Sequence, residues 1–152
     1  EMMEEPVRFQ MVGDGPMLET AISHAKTLGL EDLVEFSGYR DDVNDILPTF
    51  DAFLLTSATE GLPNVLIEAQ SKGVPVISTN AGGAKETFIE GTTGLLVDSS
   101  NPDDIAKAVC EVLQNQAFRE SSTSSGVQFV HDRYSVETMH KQLHNILLEE
   151  LK

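Results

Sequence analysis

The sequence predicts an α/β fold built on a doubly wound parallel sheet, with two helices at its C-terminal end. Short apolar runs alternate with stretches of helical periodicity, Gly and Pro punctuate the junctions, and one such junction carries the carboxylates Glu60 and Glu68. Strands covered on both faces by crossover helices read as continuous apolar runs rather than as alternating ones. Five such runs are present, at residues 7–12, 33–37, 52–56, 74–78 and 94–97. Between them, residues 16–28 place Met17, Leu18, Ala21, Ile22 and Ala25 at helical spacing, with Pro16 at the first helical position and Gly29 as the stop. Residues 65–72 form a second helix ending at Gly73, and residues 102–113 a third that starts after Asn101. Strand-helix-strand units of this kind close right-handed and give a Rossmann-like sheet over residues 1–115.

The tail, residues 116–152, reads as helices that pack on that domain. Residues 118–152 form two helices broken near His131–Tyr134, the second capped by Ser135 and presenting Val136, Met139, Leu143, Ile146 and Leu147 on one face. The run from Ser121 to Gly126 weakens the first of the two without being a linker.

Chemistry concentrates at the turn between residues 52–56 and 65–72. The strand stops just before Glu60 and the helix begins just before Glu68, and in open α/β sheets ligands bind at the carboxyl ends of the strands. Asn64 is a good N-cap, which puts Glu68 about one turn into the helix, near free backbone N–H groups that attract an anion such as a pyrophosphate. Ionised carboxylates only accept hydrogen bonds and so suit sugar and ribose hydroxyls. The same pair also fits a solvated loop charge and a surface helix residue.

Composition narrows the classes. With 152 residues the chain suits one domain with a sizeable core, and its net charge of -15 argues against nucleic acid or an anionic membrane surface as partner. The one cysteine, Cys110, lies in a helical apolar pattern and reads as a buried thiol in a reducing compartment rather than a nucleophile. His24, His131, His140 and His144 lack Cys or carboxylate partners at ligand spacing, so no metal site is expected. No repeat, signal-peptide pattern or apolar stretch of spanning length is read in these residues. A phosphoacceptor receiver domain is excluded, because its strand must end in Asp where Leu55-Thr56-Ser57 stands.

Several motifs then follow in order. Gly13-Asp-Gly15-Pro16 comes after a strand, Val34-Glu35-Phe36-Ser37-Gly38-Tyr39 follows, and Ser57 leads into Glu60-Gly61-Leu62-Pro63-Asn64-Val65-Leu66-Ile67-Glu68-Ala69. Gly73-Val74-Pro75-Val76-Ile77, Gly82-Gly83-Ala84-Lys85-Glu86, Gly94-Leu95-Leu96-Val97 and a helix opening at Pro102 complete the set. Over residues 7–135 this order resembles the C-terminal, donor-binding domain of retaining GT-B glycosyltransferases of the family 4 type, the glycosyl transferases group 1.

The resemblance implies transfer of a glycosyl unit from a nucleotide sugar with retention, a UDP sugar being favoured, and no cofactor or metal beyond that donor. It assigns Glu60 to hydroxyls of the transferred sugar, as the catalytic-site carboxylate, and Glu68 to the ribose hydroxyls. Gly61 and the amides of Leu62, Asn64 and Val65 are assigned to the sugar or the diphosphate, to which Pro63 cannot donate. Gly13, Gly15, Gly38, Tyr39 and Arg40 approach the nucleotide; Arg40 and Lys85 are the nearest cations, and both equally suit a solvated surface role. Neither glutamate is nucleophile or general acid, so the spacing rules of glycoside hydrolysis do not apply. Many members carry Glu-Gly-Phe-Gly where this chain has Glu60-Gly61-Leu62-Pro63, which alters the sugar contacts.

The family's donor domain opens with a further strand and helix, and Glu1–Pro6 reads as the end of that helix. The chain is therefore expected to be the donor-binding portion of an enzyme of polysaccharide or glycolipid assembly, inert alone. Its acceptor, a glycan or lipid-linked sugar, would bind an N-terminal domain outside this sequence. Location is expected in the cytoplasm, with peripheral membrane contact only through that other half. The sheet position between residues 7–12 and 52–56 is expected to be filled by an added segment, a neighbouring chain or a closed-up sheet. A noncatalytic sugar-nucleotide-binding module of the same fold is the alternative.

Overall fold

A computed structural model describes residues 6–98 and 100–150, and its backbone divides into two compact units, Glu1–Val43 and Asn44–Lys152. Mixed α/β architecture with parallel strands and two C-terminal helices follows the order read from the sequence. The sequence stretch expected to end a helix, Glu1–Glu5, and the last two residues of the expected tail helix, Leu151 and Lys152, lie outside the described residues.

In the first unit β1 (Phe9–Val12) pairs in parallel with β2 (Val34–Gly38), Phe9 opposite Val34 and, past an irregularity after Met11, Val12 opposite Gly38. The helix between them, α1, spans Leu18–Thr27 rather than starting at Pro16. Leu18 N–H donates to the Gly15 carbonyl at 3.0 Å, closing a turn in which Pro16 takes the second position that its fixed φ favours. At the other end Gly29, with φ 66°, stops the helix as expected, and Leu30 N–H closes onto the Ala25 carbonyl at 3.0 Å. A short helix, α2 (Val43–Ile46), starts at the last residue of this unit and continues, with a 3₁₀ turn, Leu47–Thr49, in the second; neither was legible as an apolar period.

The second unit holds β3 (Phe53–Leu55), α3 (Asn64–Ser71), β4 (Val76–Thr79), β5 (Gly94–Val97), α4 (Pro102–Gln114), α5 (Gln116–Tyr134) and α6 (Val136–Glu150). Its sheet order is β3-β4-β5, all parallel, with Leu54, Ile77 and Leu95 in register and every residue of the central β4 buried. Ile77, Val97, Val109 and Val112 form a buried cluster with Leu54, Leu95, Ile105, Leu113 and Phe118 around it, so α4 packs its apolar stripe on β4 and β5. The start of α4 is as read: Asn101 Oδ1 accepts from Asp103 N–H at 3.1 Å, Pro102 is the first residue, and Asp103 and Asp104 occupy the first turn. Among the described residues the strands form two sheets, one within each unit, of order β1-β2 and β3-β4-β5.

The tail forms the two helices read from the sequence, and two details define them. First, α5 runs unbroken from Gln116, capped by Asn115 Oδ1 on Phe118 N–H at 3.0 Å, through the serine run to Tyr134. Ser121, Ser122 and Ser124 return their hydroxyls to the carbonyls of Phe118, Arg119 and Ser121, so their side chains are satisfied inside the helix. Their small size lets α5 lie against α3: Ser122 is buried, Thr123 Oγ1 reaches the Gly73 carbonyl at 2.9 Å, and Gly126 packs on Gln70. Second, the break falls at Ser135, whose extended backbone and Oγ, accepting from Thr138 N–H at 3.2 Å, cap α6 as expected. The residues Val136, Met139, Leu143, Ile146 and Leu147 of α6 are 52–60% exposed. No helix among the described residues is long and apolar enough to cross a membrane.

Leu66, on the inward stripe of α3, is fully buried. Leu66→Ala should lower the unfolding free energy by about 2–5 kcal/mol, read as a reduced denaturant midpoint at unchanged slope.

Candidate functional site

The site grows from the carboxyl ends of β3 and β4. After Leu55 the chain crosses residues 56–63 before α3 begins, and Thr79 Oγ1, at the end of β4, anchors this crossing by donating to the Ser57 carbonyl at 2.6 Å. Beyond β4 the chain enters a 3₁₀ turn, Gly82–Glu86, with Gly82 at φ +59°. A Cβ on Gly82 would stand 2.2 Å from the Glu60 carbonyl oxygen, and one on Gly83 would stand 1.9 Å from that of Gly61. The two segments therefore meet backbone to backbone, and both positions admit only glycine without displacement.

Glu60 is half-buried and Glu68 exposed, and among the described residues neither carboxylate has an ion pair or hydrogen bond. The expected N-cap is corrected. Pro63, at φ -73° and ψ 96°, occupies that position, and Asn64 is the first helical residue with no side-chain cap. Pro63 suits it because its fixed φ is compatible, it has no N–H to leave unsatisfied, and its carbonyl accepts from Leu66 N–H at 3.1 Å. The amides of Asn64 and Val65 have no acceptor among the described residues, and they sit at the positive end of α3. Glu68 still falls about one turn inside the helix, as read. Gly61 and Leu62, in the crossing before α3, are exposed, and Lys85 is exposed on the 3₁₀ turn.

A buried polar cluster behind the site was not singled out from the sequence. The Gln70 side-chain amide donates to the carbonyls of Leu66 at 2.8 Å and Thr87 at 2.6 Å, while its oxygen accepts from Thr93 Oγ1 at 2.8 Å. Thr93 Oγ1 accepts in turn from Ile89 N–H at 2.9 Å, and Thr87 Oγ1 donates to Ala84 at 2.7 Å. Gln70, Thr87 and Thr93 are essentially inaccessible to solvent, and no buried side-chain polar atom among the described residues lacks a partner. The readable signal was Gln70 itself, a polar residue on the stripe formed by Leu66, Ala69 and Gly73.

The remaining predicted residues belong to the first unit. Gly13 and Gly38 are brought together at the carboxyl ends of β1 and β2, where Gly13 N–H donates to the Gly38 carbonyl at 2.7 Å. Gly15 closes the turn into α1, and Tyr39 is 74% exposed. Arg40 is committed to a two-point pair with Asp42, its Nε at 2.6 Å from Oδ1 and its Nη2 on Oδ2. That hydrogen bonding raises the Arg40 pKa and holds the Asp42 carboxyl below the usual carboxylate range. Among the described residues no group of three His, Cys, Asp or Glu side chains could hold a metal ion.

The chain is similar to known proteins. Residues 1–129 match the family described as glycosyl transferases group 1. The Vi polysaccharide biosynthesis protein VipC/TviE of Salmonella typhi is 40% identical over 135 residues, covering 87% of this chain and 23% of that protein. The GDP-mannose-dependent alpha-(1-6)-phosphatidylinositol monomannoside mannosyltransferase of Mycobacterium tuberculosis is 35% identical over 148 residues, 90% of this chain and 38% of its own length. Among solved structures, Anabaena Alr3699/HepE in complex with UDP-glucose superposes with a TM-score of 0.82 at 26% identity, covering 94% of this chain and 41% of that one. The chain thus spans between 23% and 39% of the length of the first curated relatives it matches. A family match over most of the chain, on a fold that places Glu60 and Glu68 around one strand-to-helix turn, makes this chain a member of the glycosyl transferases group 1 family.

Proposed function

We propose that this chain is the donor-binding portion of a retaining glycosyltransferase that takes its glycosyl unit from a nucleotide sugar, with UDP as the favoured nucleotide, in polysaccharide or glycolipid assembly. The observation that carries this reading is a pair of uncommitted carboxylates, Glu60 and Glu68, placed around a helix N-terminus with two unused amides, those of Asn64 and Val65. Hydroxyl-accepting groups and an anion-binding helix end, a few residues apart, match the two chemical halves of a nucleotide sugar. Glu68 accepts from the ribose hydroxyls and Glu60 from the transferred sugar. The amides of Asn64 and Val65 meet the diphosphate, with Gly61 and Leu62 beside it.

As the glycosidic bond to the diphosphate breaks, negative charge grows on the departing oxygens. Fixed N–H dipoles aimed at that charge stabilise it without reorganising, and the start of α3 takes this role, assisted by the exposed Lys85. This assignment routes no step through a metal. Arg40 is a weaker candidate for the nucleotide than its position in the sequence suggests, since release from Asp42 would have to precede any phosphate contact. The acceptor, a glycan or lipid-linked sugar, is assigned to the part of the longer protein outside this chain, in keeping with the share of its relatives that the chain spans. That part also carries any contact with the inner face of the membrane, and the chain alone transfers nothing.

In the full-length protein, Glu68→Gln should weaken UDP and UDP-glucose alike by about 1.5–3 kcal/mol, the size of lost charge-assisted hydrogen bonds. Glu60→Gln should spare bare UDP and lose affinity and turnover only with the intact donor. Calorimetry separates them, and equal loss of UDP affinity in both variants would show the assignment to be wrong. Binding of donor without any turnover in the wild-type protein would instead indicate a noncatalytic module. Gly83→Ala should act on the same site without removing a side chain, because its Cβ would have to displace the Gly61 carbonyl. We expect at least a tenfold loss of donor affinity, with little change in bare UDP affinity.

A further inference from the structure

We propose that Gln70 is a positioning residue of this site, keeping α3, which carries Glu68, in register with the Gly82–Glu86 turn, which braces Glu60. The inference rests on the donor-site reading above and adds a residue that touches no ligand. Its geometry is specific. One Gln70 amide group bridges the carbonyl of Leu66, inside α3, and that of Thr87, the residue immediately after the 3₁₀ turn. The same side chain accepts from Thr93, which fastens Ile89 through its hydroxyl, so residues 87–93 are tied to the back of α3 at two points. From Thr87 the connection runs through paired bonds to Ala84, at 2.7 Å from the hydroxyl and 3.0 Å from the amide, into the turn itself. At the far end of that turn Gly82 and Gly83 bear directly on the carbonyls of Glu60 and Gly61.

The consequence is that the two carboxylates, eight positions apart in sequence, are held in relation by a route other than the chain between them. Residues 61–63 include an exposed Gly61 and an exposed Leu62, and offer little stiffness of their own. A buried network with every member satisfied has one low-energy arrangement, whereas an apolar replacement leaves carbonyl and hydroxyl groups seeking new partners. Loss of the clamp should therefore loosen the Glu60 turn relative to α3 and leave the β4 strand intact.

The test uses the full-length protein with Gln70→Met and, as a milder lesion, Thr93→Val, each removing the exchange of hydrogen bonds while conserving volume. Thr93→Ser keeps the hydroxyl and serves as the rescue. Hydrogen-deuterium exchange should show faster exchange at residues 60–66 and 82–87 in both lesions, no change in the amides of β4, and wild-type behaviour in Thr93→Ser. UDP-glucose affinity should fall about tenfold, the size of one lost buried hydrogen bond, while UDP affinity stays within about twofold. Exchange that rises in step across β4, or an unchanged UDP-glucose affinity in a folded variant, would overturn the proposal and leave Gln70 a core residue only. If the wild-type protein binds neither UDP nor UDP-glucose, the donor reading fails on its own, and the exchange contrast still decides whether Gln70 sets the register of the turn.

Discussion

The carbonyl oxygens of Glu60 and Gly61 occupy the space that side chains at positions 82 and 83 would fill, and the geometry around them follows from that contact. Backbone lying on backbone has no rotamers to lose and no flexible tip to yield. Once β3 and β4 are set in parallel register, with Phe53 opposite Val76 and Leu55 opposite Ser78, the loops leaving their carboxyl ends have little freedom to separate. The Thr79 hydroxyl on the Ser57 carbonyl fixes the start of one loop to the end of the other strand. A half-buried carboxylate at Glu60 is thus placed by strands and glycines, and its own side chain remains free to bond outward.

The helix that bears Glu68 is held from behind by groups that look unsuited to a core. Serine, threonine and glycine of α5 face α3, and the close approach they permit brings the Thr123 hydroxyl to the Gly73 carbonyl and Gly126 onto Gln70. The Tyr134 hydroxyl, at the end of α5, donates to the Glu86 carbonyl at 2.5 Å and reaches the same 3₁₀ turn from a third direction. Arg133 stacks near both Tyr134 and Phe129, whose rings meet edge to face, and this fixes the last turn of α5 where the chain bends at Ser135. The elements that carry the site's polar groups therefore owe their placement to hydrogen bonds as much as to apolar burial.

What could be read in advance divides along physical lines. The parallel strands were legible because burial on both faces leaves an uninterrupted apolar run, and β5 fell on the expected residues. Strand ends shifted by one or two residues elsewhere, since pairing geometry rather than hydrophobicity decides where a ladder stops. Asn64 has the stronger side-chain capping propensity, yet Pro63 takes the cap because it loses nothing at a position with no intrahelical N–H partner. The serine run was read as part of a helix and is one; what propensity alone does not carry is that its small residues are what a close helix crossing requires. Arg40 and Asp42 stand two positions apart, and their pairing depends on a bent loop that no apolar period encodes. The 3₁₀ turn at Gly82–Glu86 has no periodic signature, so its contact with the Glu60 carbonyl could not be inferred from pattern alone.

Charge sharpens the proposed reading. A chain of net charge -15 is a poor partner for a nucleotide diphosphate if charges are simply summed. Yet at physiological ionic strength a charge is screened beyond about 8 Å, so the groups nearest the diphosphate decide the outcome. Near the start of α3 those groups include the unused amides of Asn64 and Val65, while Pro63 keeps a competing N–H out of the cap. Amides carry no net charge and cannot be titrated away, so their attraction for an anion does not depend on their own protonation state. On this view the acidic surface and the anion site coexist because the site is made from backbone, which is also why its integrity depends on glycine contacts and a buried glutamine more than on any single basic side chain.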